Sequence, residues 1–286
     1  MNKNVRVSIV VPVYNEEEQL AACLAAMAAQ TVQPYEVIVV DNNSSDQTAT
    51  IAEQYPFVTL LHEHRQGVVY ARDKGFNSVR GDIIGRIDAD TVLSPTWIAT
   101  IIEAFQDDTL AAVTGRVHYK DIAAARLVDR IDLFWRRRMA RLLGREVALQ
   151  GANMAIRRDV WLAIRKTVCH TAGLHEDFDL AIHANQCGYV VRYDERLEVD
   201  VLYRQAAYNF RDFARYSLTS PRTYAAHGLK SGRHMYEVVA FVLALYPAIN
   251  MLHRGYDIRK GAFRLRTLLN PQLTTAPRVN PATFVE

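Results

Sequence analysis

The chain has 286 residues, 50% of them apolar, and a formal net charge of +3. That is enough apolar material for one large α/β domain with a smaller appendage, and it excludes general disorder. So small a net charge gives no electrostatic footprint for nucleic acid, so no nucleic-acid partner is expected.

Cys23, Cys169 and Cys187 follow neither a disulfide framework nor a metal-ligand spacing, which fits a reducing compartment. The amino terminus, MNKNVRVSIVVPVYNEEE, lacks the regions of a secretory leader, and its apolar run reads as a first strand instead.

Val7 to Val13 is a short β-rich run that predicts a buried strand. NEEEQLAACLAAMAAQ predicts a helix. Asn15 and Glu18 have capping-box spacing, Glu16 to Glu18 suit a first turn, and Leu20, Leu24 and Met27 share a face. Glu36 to Val40 reads as a second strand, followed by DNNSSD and a helix through Thr48 and Ala52. Phe57 to Leu61 gives a third strand, GVVYARDKGFNSVRG a helix, and Ile83 to Ile87 a fourth strand. Such alternation predicts an α/β fold with a Rossmann-like, mostly parallel sheet flanked by helices.

Open parallel sheets bind ligands beyond the carboxyl ends of their strands. Asp41 and the pair Asp88/Asp90 in RIDADT fall at such ends. Ordinary loop capping is the bland alternative for that pair.

Taken in order, VSIVVPVYNEE, VVDNNSSD, GVVYARDKG, RIDADT, GANMAIRR and HEDFDLAIH resemble family 2 of the inverting glycosyltransferases, which have the GT-A fold. The motifs span Val7 to His183. The resemblance implies transfer of a sugar from a nucleoside diphosphate donor, with a UDP-sugar ahead of a GDP-sugar. It implies that Asp41 meets the nucleobase, with Pro12, Val13 and Tyr14 lining the same pocket. Arg72 stands where the family commonly has a donor-binding basic residue, and Asn153 falls near the sugar, a structural turn being its alternative.

Asp88 and Asp90 match the family's DxD motif. Asp90 would coordinate Mn²⁺ or Mg²⁺ directly, and Asp88 would act through the ribose or the metal's water shell. The resemblance makes Asp177 the general base for the acceptor hydroxyl, with helix capping as a compatible second role. Glu176 would orient acceptor or base, and His175 would line the pocket or lie at the surface.

The implied boundaries are a GT-A catalytic domain over 1–205, a helical C-terminal extension over 206–269 and an irregular tail over 270–286. The donor-binding half ends near residue 115, and the acceptor-facing half covers 116–205.

RLVDRIDLFWRRRMARLLGR carries Arg126, Arg130, Arg136, Arg137, Arg138, Arg141 and Arg145. Its apolar residues Leu127, Ile131, Phe134, Trp135, Met139 and Leu142 are expected on one broad face, with Arg137, Arg141 and Arg145 elsewhere. That pattern suits an anionic bilayer or a lipid-linked acceptor, and packing against the domain is the alternative. Met235 to Leu252 contains an apolar run shorter than a spanning helix, and Pro247 within it predicts a buried or interfacial hairpin. Arg211, Arg215, Arg222, Lys230 and Arg233 are candidates for a phosphate-facing patch. The tail holds Pro271, Pro277 and Pro281.

The expected function is therefore metal-dependent transfer of a sugar to a lipid-linked or cell-envelope glycan acceptor, at the cytoplasmic face of the membrane as a peripheral protein. A regulatory sugar-nucleotide binder without turnover and a metal-dependent nucleotidyltransferase are the alternatives. The missing Q-x-x-R-W segment disfavours processive polysaccharide synthesis.

Overall fold

The computed structural model describes residues 5–121, 125–143, 148–204, 208–257 and 262–263. In chain order its elements are β1 (Val7–Val13), α1 (Leu20–Ala28), β2 (Glu36–Asp41), α2 (Thr48–Glu53), β3 (Val58–His62), α3 (Val68–Ser78) and β4 (Ile83–Arg86). There follow β5 (Val92–Leu93), α4 (Trp97–Ala104), β6 (Leu110–Tyr119), α5 (Ala125–Leu143), β7 (Met154–Arg157), α6 (Arg158–Ile164), α7 (Glu176–Gln186) and β8 (Val190–Val201). The last elements are α8 (Phe210–Ser217), α9 (Thr219–Ala226), α10 (Gly232–Gly255), β9 (Tyr256–Asp257) and β10 (Ala262–Phe263). Arg145 and residues 270–286 lie outside the described residues, as do the side chains of Arg126, Met139 and Leu142.

The chain divides into two compact units. The first comprises Met1–Val117, Gly144–His170 and Glu176–Val201, and the second His118–Leu143, Thr171–His175 and Leu202–Glu286.

The first unit is an eight-stranded sheet in the order β3-β2-β1-β4-β7-β6-β8-β5, flanked by helices. The α/β architecture expected from strand–helix alternation is what forms. β3, β2, β1 and β4 are parallel neighbours. β7 then pairs antiparallel with both β4 and β6, and β5 antiparallel with β8. Both faces of the parallel part are covered, so β1 is nearly all apolar and buried along its length.

Crossover helix α3 lies close against that sheet. A Cβ on Gly75 would press into Val10 and Val40, so glycine here sets the approach. The same core takes Trp161, fully buried, edge-on to Phe76 at 5.2 Å, with its indole N–H donated to Asn77 at 3.1 Å.

Helix α1 starts later than the sequence pattern predicts. Its first residue is Leu20, its first turn carries no acid and no side chain caps it. Asn15 instead takes a left-handed conformation, φ 54°, and its side-chain oxygen accepts the Ser45 N–H at 2.8 Å. Glu17 accepts from the Gln47 N–H at 3.0 Å. The Asn that would open the capping box is therefore spent on joining two loops, a choice it tolerates because its short side chain bonds locally in the left-handed region.

In the second unit, α10 is one continuous helix through Pro247 and not a hairpin. Tyr246 anchors it, stacking on Phe213 at 3.7 Å and donating its hydroxyl to the Tyr208 carbonyl at 2.5 Å. Over Gly232–His253 it is long and apolar enough to cross a membrane by length and composition, and 22% of its most apolar window is buried.

Helix α5 packs on α10 through Trp135 and Phe241, 5.1 Å apart. Its arginines are not segregated from its apolar residues as expected. Leu133 and Phe134 line one groove with Arg130, Arg137, Arg138 and Arg141. Trp135 turns to α10, which leaves Phe134 61% exposed among the cations. Arg211, Arg215, Arg222, Lys230 and Arg233 are all exposed, spread over α8, α9, the turn after α9 and the start of α10.

Candidate active site

The parallel strands bring the predicted residues to one edge of the sheet. Val13, at the end of β1, stands opposite Asp41, at the end of β2, and Pro12 opposite Val40. The register therefore groups Pro12, Val13 and Asp41, with Tyr14 following directly. Asp41 is 5% exposed; its carboxylate accepts the Ser44 N–H at 3.3 Å and lies 3.4 Å from the half-exposed His62 ring.

Asn42 fixes the neighbouring loop. It donates to the Glu63 and Arg65 carbonyls and accepts the Gly67 N–H at 2.7 Å, tying the end of β2 to the entrance of α3.

Beyond β4 the chain makes the turn Asp88–Thr91, closed by Thr91 N–H to the Asp88 carbonyl at 3.1 Å. Asp88 and Asp90 are each 9% exposed and Glu16 7%. All three act on Cys23, whose thiol donates to the Asp88 carbonyl at 3.7 Å. Burial, then Asp90, Asp88 and Glu16, push that thiol far above its ordinary range, so it stays neutral. The turn thus has a dry floor and an acidic wall. Carboxylate oxygens are the hard donors that Mg²⁺ and Mn²⁺ prefer, and the residues present fit such an ion.

The centre of the site is Arg86, the first residue of RIDADT, to which the motifs alone assign no role. It is the last residue of β4 and only 2% exposed. Its guanidinium holds Asp177 through a short ion pair, Asp88 at 3.1 Å and Glu176 at 3.4 Å. One cation therefore joins the acidic pair after β4 to the acidic pair that opens α7. The second Asp177 oxygen accepts the Gly151 N–H at 2.6 Å. Gly151 is glycine for a steric reason: a Cβ there would coincide with the Arg86 guanidinium. A sequence signal for Arg86 existed, since a charge closing a buried strand needs a partner, but two of its three partners are 90 and 91 residues away.

Two predicted ligand-facing residues are built into the support of the site. Arg72 is fully buried. It donates to Asp73 at 2.7 and 2.9 Å and to the Glu176 carbonyl at 3.0 Å, with its guanidinium 5.7 Å from the centre of the Trp161 ring. It braces the start of α7 from beneath. Asn153 is also fully buried; it accepts the Trp97 indole N–H at 2.8 Å and donates to the Arg116 and Leu197 carbonyls. Such a committed amide locks the turn that carries Gly151, the structural alternative for this residue. His175 belongs to the second unit, where its N–H donates to the Thr223 hydroxyl at 2.8 Å.

Residues 8–163 match the family described as Glycosyl transferase family 2, more than half of the chain. The chain belongs to that family. It is 30% identical over 161 residues to Glycosyltransferase AglE of Haloferax volcanii, covering 54% of this chain and 53% of that one. It is 36% identical over 125 residues to an undecaprenyl-phosphate 4-deoxy-4-formamido-L-arabinose transferase of Serratia proteamaculans, covering 41% and 38%. The chain spans about half, or less, of the length of these curated relatives.

Among solved structures, the mannosyltransferase PcManGT from Pyrobaculum calidifontis, in complex with GDP-Man and Mn²⁺, superposes with a TM-score of 0.64. The identity is 20%, with 93% of this chain and 74% of that chain covered. That likeness places the fold among GT-A glycosyltransferases.

Proposed function

We propose that this member of the family is an inverting, metal-dependent glycosyltransferase, moving a sugar from a nucleoside diphosphate donor to an acceptor hydroxyl. The observation that carries the proposal is the triple engagement of Arg86, which joins Asp88 on the donor side to Glu176 and Asp177 on the acceptor side. Donor-handling and proton-accepting groups must lie this close for one displacement to act on both.

In this reading Asp41 and the Pro12–Tyr14 segment receive the nucleobase, and Asp177 takes the proton of the attacking hydroxyl while Gly151 and Arg86 hold it in orientation. Glu176 positions the acceptor. A divalent ion held by Asp90, with Asp88 beside it, would neutralise charge on the departing diphosphate. A single attack at the anomeric carbon inverts its configuration. The GDP-Man and Mn²⁺ of the superposed mannosyltransferase support a nucleotide-sugar donor and a divalent ion. Uridine is the base first expected for this chain.

The acceptor we infer is lipid-linked or another cell-envelope glycan precursor, reached by a peripheral protein at the cytoplasmic membrane face. The undecaprenyl-phosphate in the name of the Serratia relative supports that class, as does the Arg-lined groove of α5 with exposed Phe134.

Calorimetry of the intact protein with UDP- and GDP-sugars, with and without Mn²⁺, followed by a transfer assay, tests the reading. Asp90→Ala should abolish the metal-dependent part of donor binding. Asp177→Asn should lower turnover by roughly 10²-fold or more while leaving donor binding in place. Wild-type turnover in both variants would refute the assigned roles.

A further inference from the structure

A second cluster of metal-ligating groups lies in the first unit, outside the site described above. Asp179 and His183 are one turn apart on α7, so both face the same side of the helix. Cys169, from the segment between α6 and α7, comes to that side. Its backbone N–H donates to an Asp179 oxygen at 2.8 Å, and its sulfur stands 3.9 Å from the His183 Nε2. The His183 Nε2 is 3.5 Å from the other Asp179 oxygen. Sulfur, nitrogen and oxygen all lie within 4.8 Å of one another.

We propose that Cys169, Asp179 and His183 contribute to a site for a borderline-soft divalent ion of the zinc class. Three arguments support it. The first is geometric. With Zn–S of about 2.3 Å and Zn–N or Zn–O of about 2.0 Å, tetrahedral angles place sulfur and nitrogen about 3.5 Å apart, and nitrogen and oxygen about 3.3 Å apart. The 3.9 and 3.5 Å observed are within a few tenths of an ångström of those edges.

The second is the donor set. Mixed thiolate, imidazole and carboxylate suits zinc, whereas the oxygen-only set around Asp88 and Asp90 suits Mg²⁺ or Mn²⁺. The third is pre-organisation. The Asp179 side chain is 1% exposed and its second oxygen is already held by the Cys169 N–H, so carboxylate and loop are fixed before an ion arrives.

The C-x9-D-x3-H spacing resembles no common zinc motif, which is why the cysteines read as unremarkable in sequence. A bound ion would staple the segment before α7 to that helix, whose first turn carries Glu176 and Asp177. This role is independent of the proposed transfer chemistry. On binding, the Cys169 S–H bond breaks, its proton goes to solvent and the sulfur lone pair forms the bond to the metal.

The test uses the full chain, stripped with a chelator and titrated with Co²⁺ as a spectroscopic substitute for zinc. A thiolate-to-cobalt charge-transfer band with tetrahedral d–d bands, saturating at one ion per chain, is expected. The acidic pair after β4 borders the buried Cys23 thiol, so the band is assigned by the cysteine variants rather than by exclusion. Cys169→Ser should abolish the band and His183→Ala should weaken Co²⁺ binding at least tenfold, both with wild-type circular dichroism. Cys187→Ser should keep the band. No charge-transfer band in the wild type, or one that persists in Cys169→Ser, overturns the proposal, whether or not the protein transfers sugar.

Discussion

Replacing Arg86 with Met removes one cation from among three carboxylates while keeping much of the side chain's volume. The guanidinium is 2% exposed, and its partners Asp88, Glu176 and Asp177 have side chains only 12%, 16% and 6% exposed. Solvent therefore does little to screen them. Breaking a buried pair by deleting one partner costs roughly 3–5 kcal/mol, because the other charge is left uncompensated. Against a total stability of about 5–15 kcal/mol this is a large fraction. At about 2–4 °C per kcal/mol for a chain of this size, the melting temperature should fall by roughly 6–20 °C.

Arg86→Lys should fall between Arg86→Met and wild type, since a lysine keeps the charge but cannot present two nitrogens in a fixed fork. The assay is thermal or urea unfolding of the three proteins at neutral pH. A loss below about 1 kcal/mol for Arg86→Met, in the range of an exposed pair, would refute the central role given to this residue.

Two more perturbations probe the same construction. Gly151→Ala puts a methyl group where the Arg86 guanidinium lies, so the melting temperature should drop about as far as in Arg86→Met, and a wild-type melt would show that Arg86 sits elsewhere. Asp46 ties the loop before α2 by accepting from the Thr48 N–H and hydroxyl and from the Glu17 N–H. Burial raises its carboxyl pKa, but these hydrogen bonds outweigh burial and leave it below the ordinary value. Its stabilisation is therefore complete above the ordinary carboxylate pKa and fades as pH falls through the lowered one. Asp46→Asn should cost about 1 kcal/mol in urea unfolding at neutral pH and less in acid, a trend that an equal loss at both would contradict.

The parallel strands were legible because each is a short apolar run with buried faces, and β1, β2 and β4 lie within a residue of where their patterns put them. Asp41, Asp88 and Asp90 were legible because strand ends on a parallel sheet are places, not merely sequence positions. The failures have physical causes. The capping box expected from Asn15 and Glu18 does not form, because Asn15 finds a partner across a loop, at Ser45, and the helix starts only at Leu20. Pro247 suggested a break, yet it sits inside a helix anchored by Tyr246. Arg72 and Asn153 occupy motif positions, and motif position says nothing about burial; both turned out to be sealed beneath the surface they support. Arg86 and the Cys169 cluster escaped notice because their meaning lies in contacts between segments far apart in the chain.

The electrostatics of the site bear directly on the need for a metal. Asp88, Glu176 and Asp177 carry three negative charges when ionised, and Arg86 offsets one of them. The amino terminus of α7 helps, since Glu176, Asp177 and Asp179 all lie in its first turn, where aligned peptide dipoles favour anions. Asp90 and Glu16 add two more carboxylates nearby, through their shared effect on Cys23. Among these six residues the acids outnumber the one cation, and the diphosphate of the proposed donor is itself anionic. Arg72, the basic residue expected on the donor side, is fully buried and spent on Asp73 and the Glu176 carbonyl. A diphosphate entering such a place without a cation meets repulsion in a poorly solvated setting, where charges act more strongly than in water. A divalent ion reverses that balance, and this gives the proposed metal dependence an electrostatic basis in the chain's own charges.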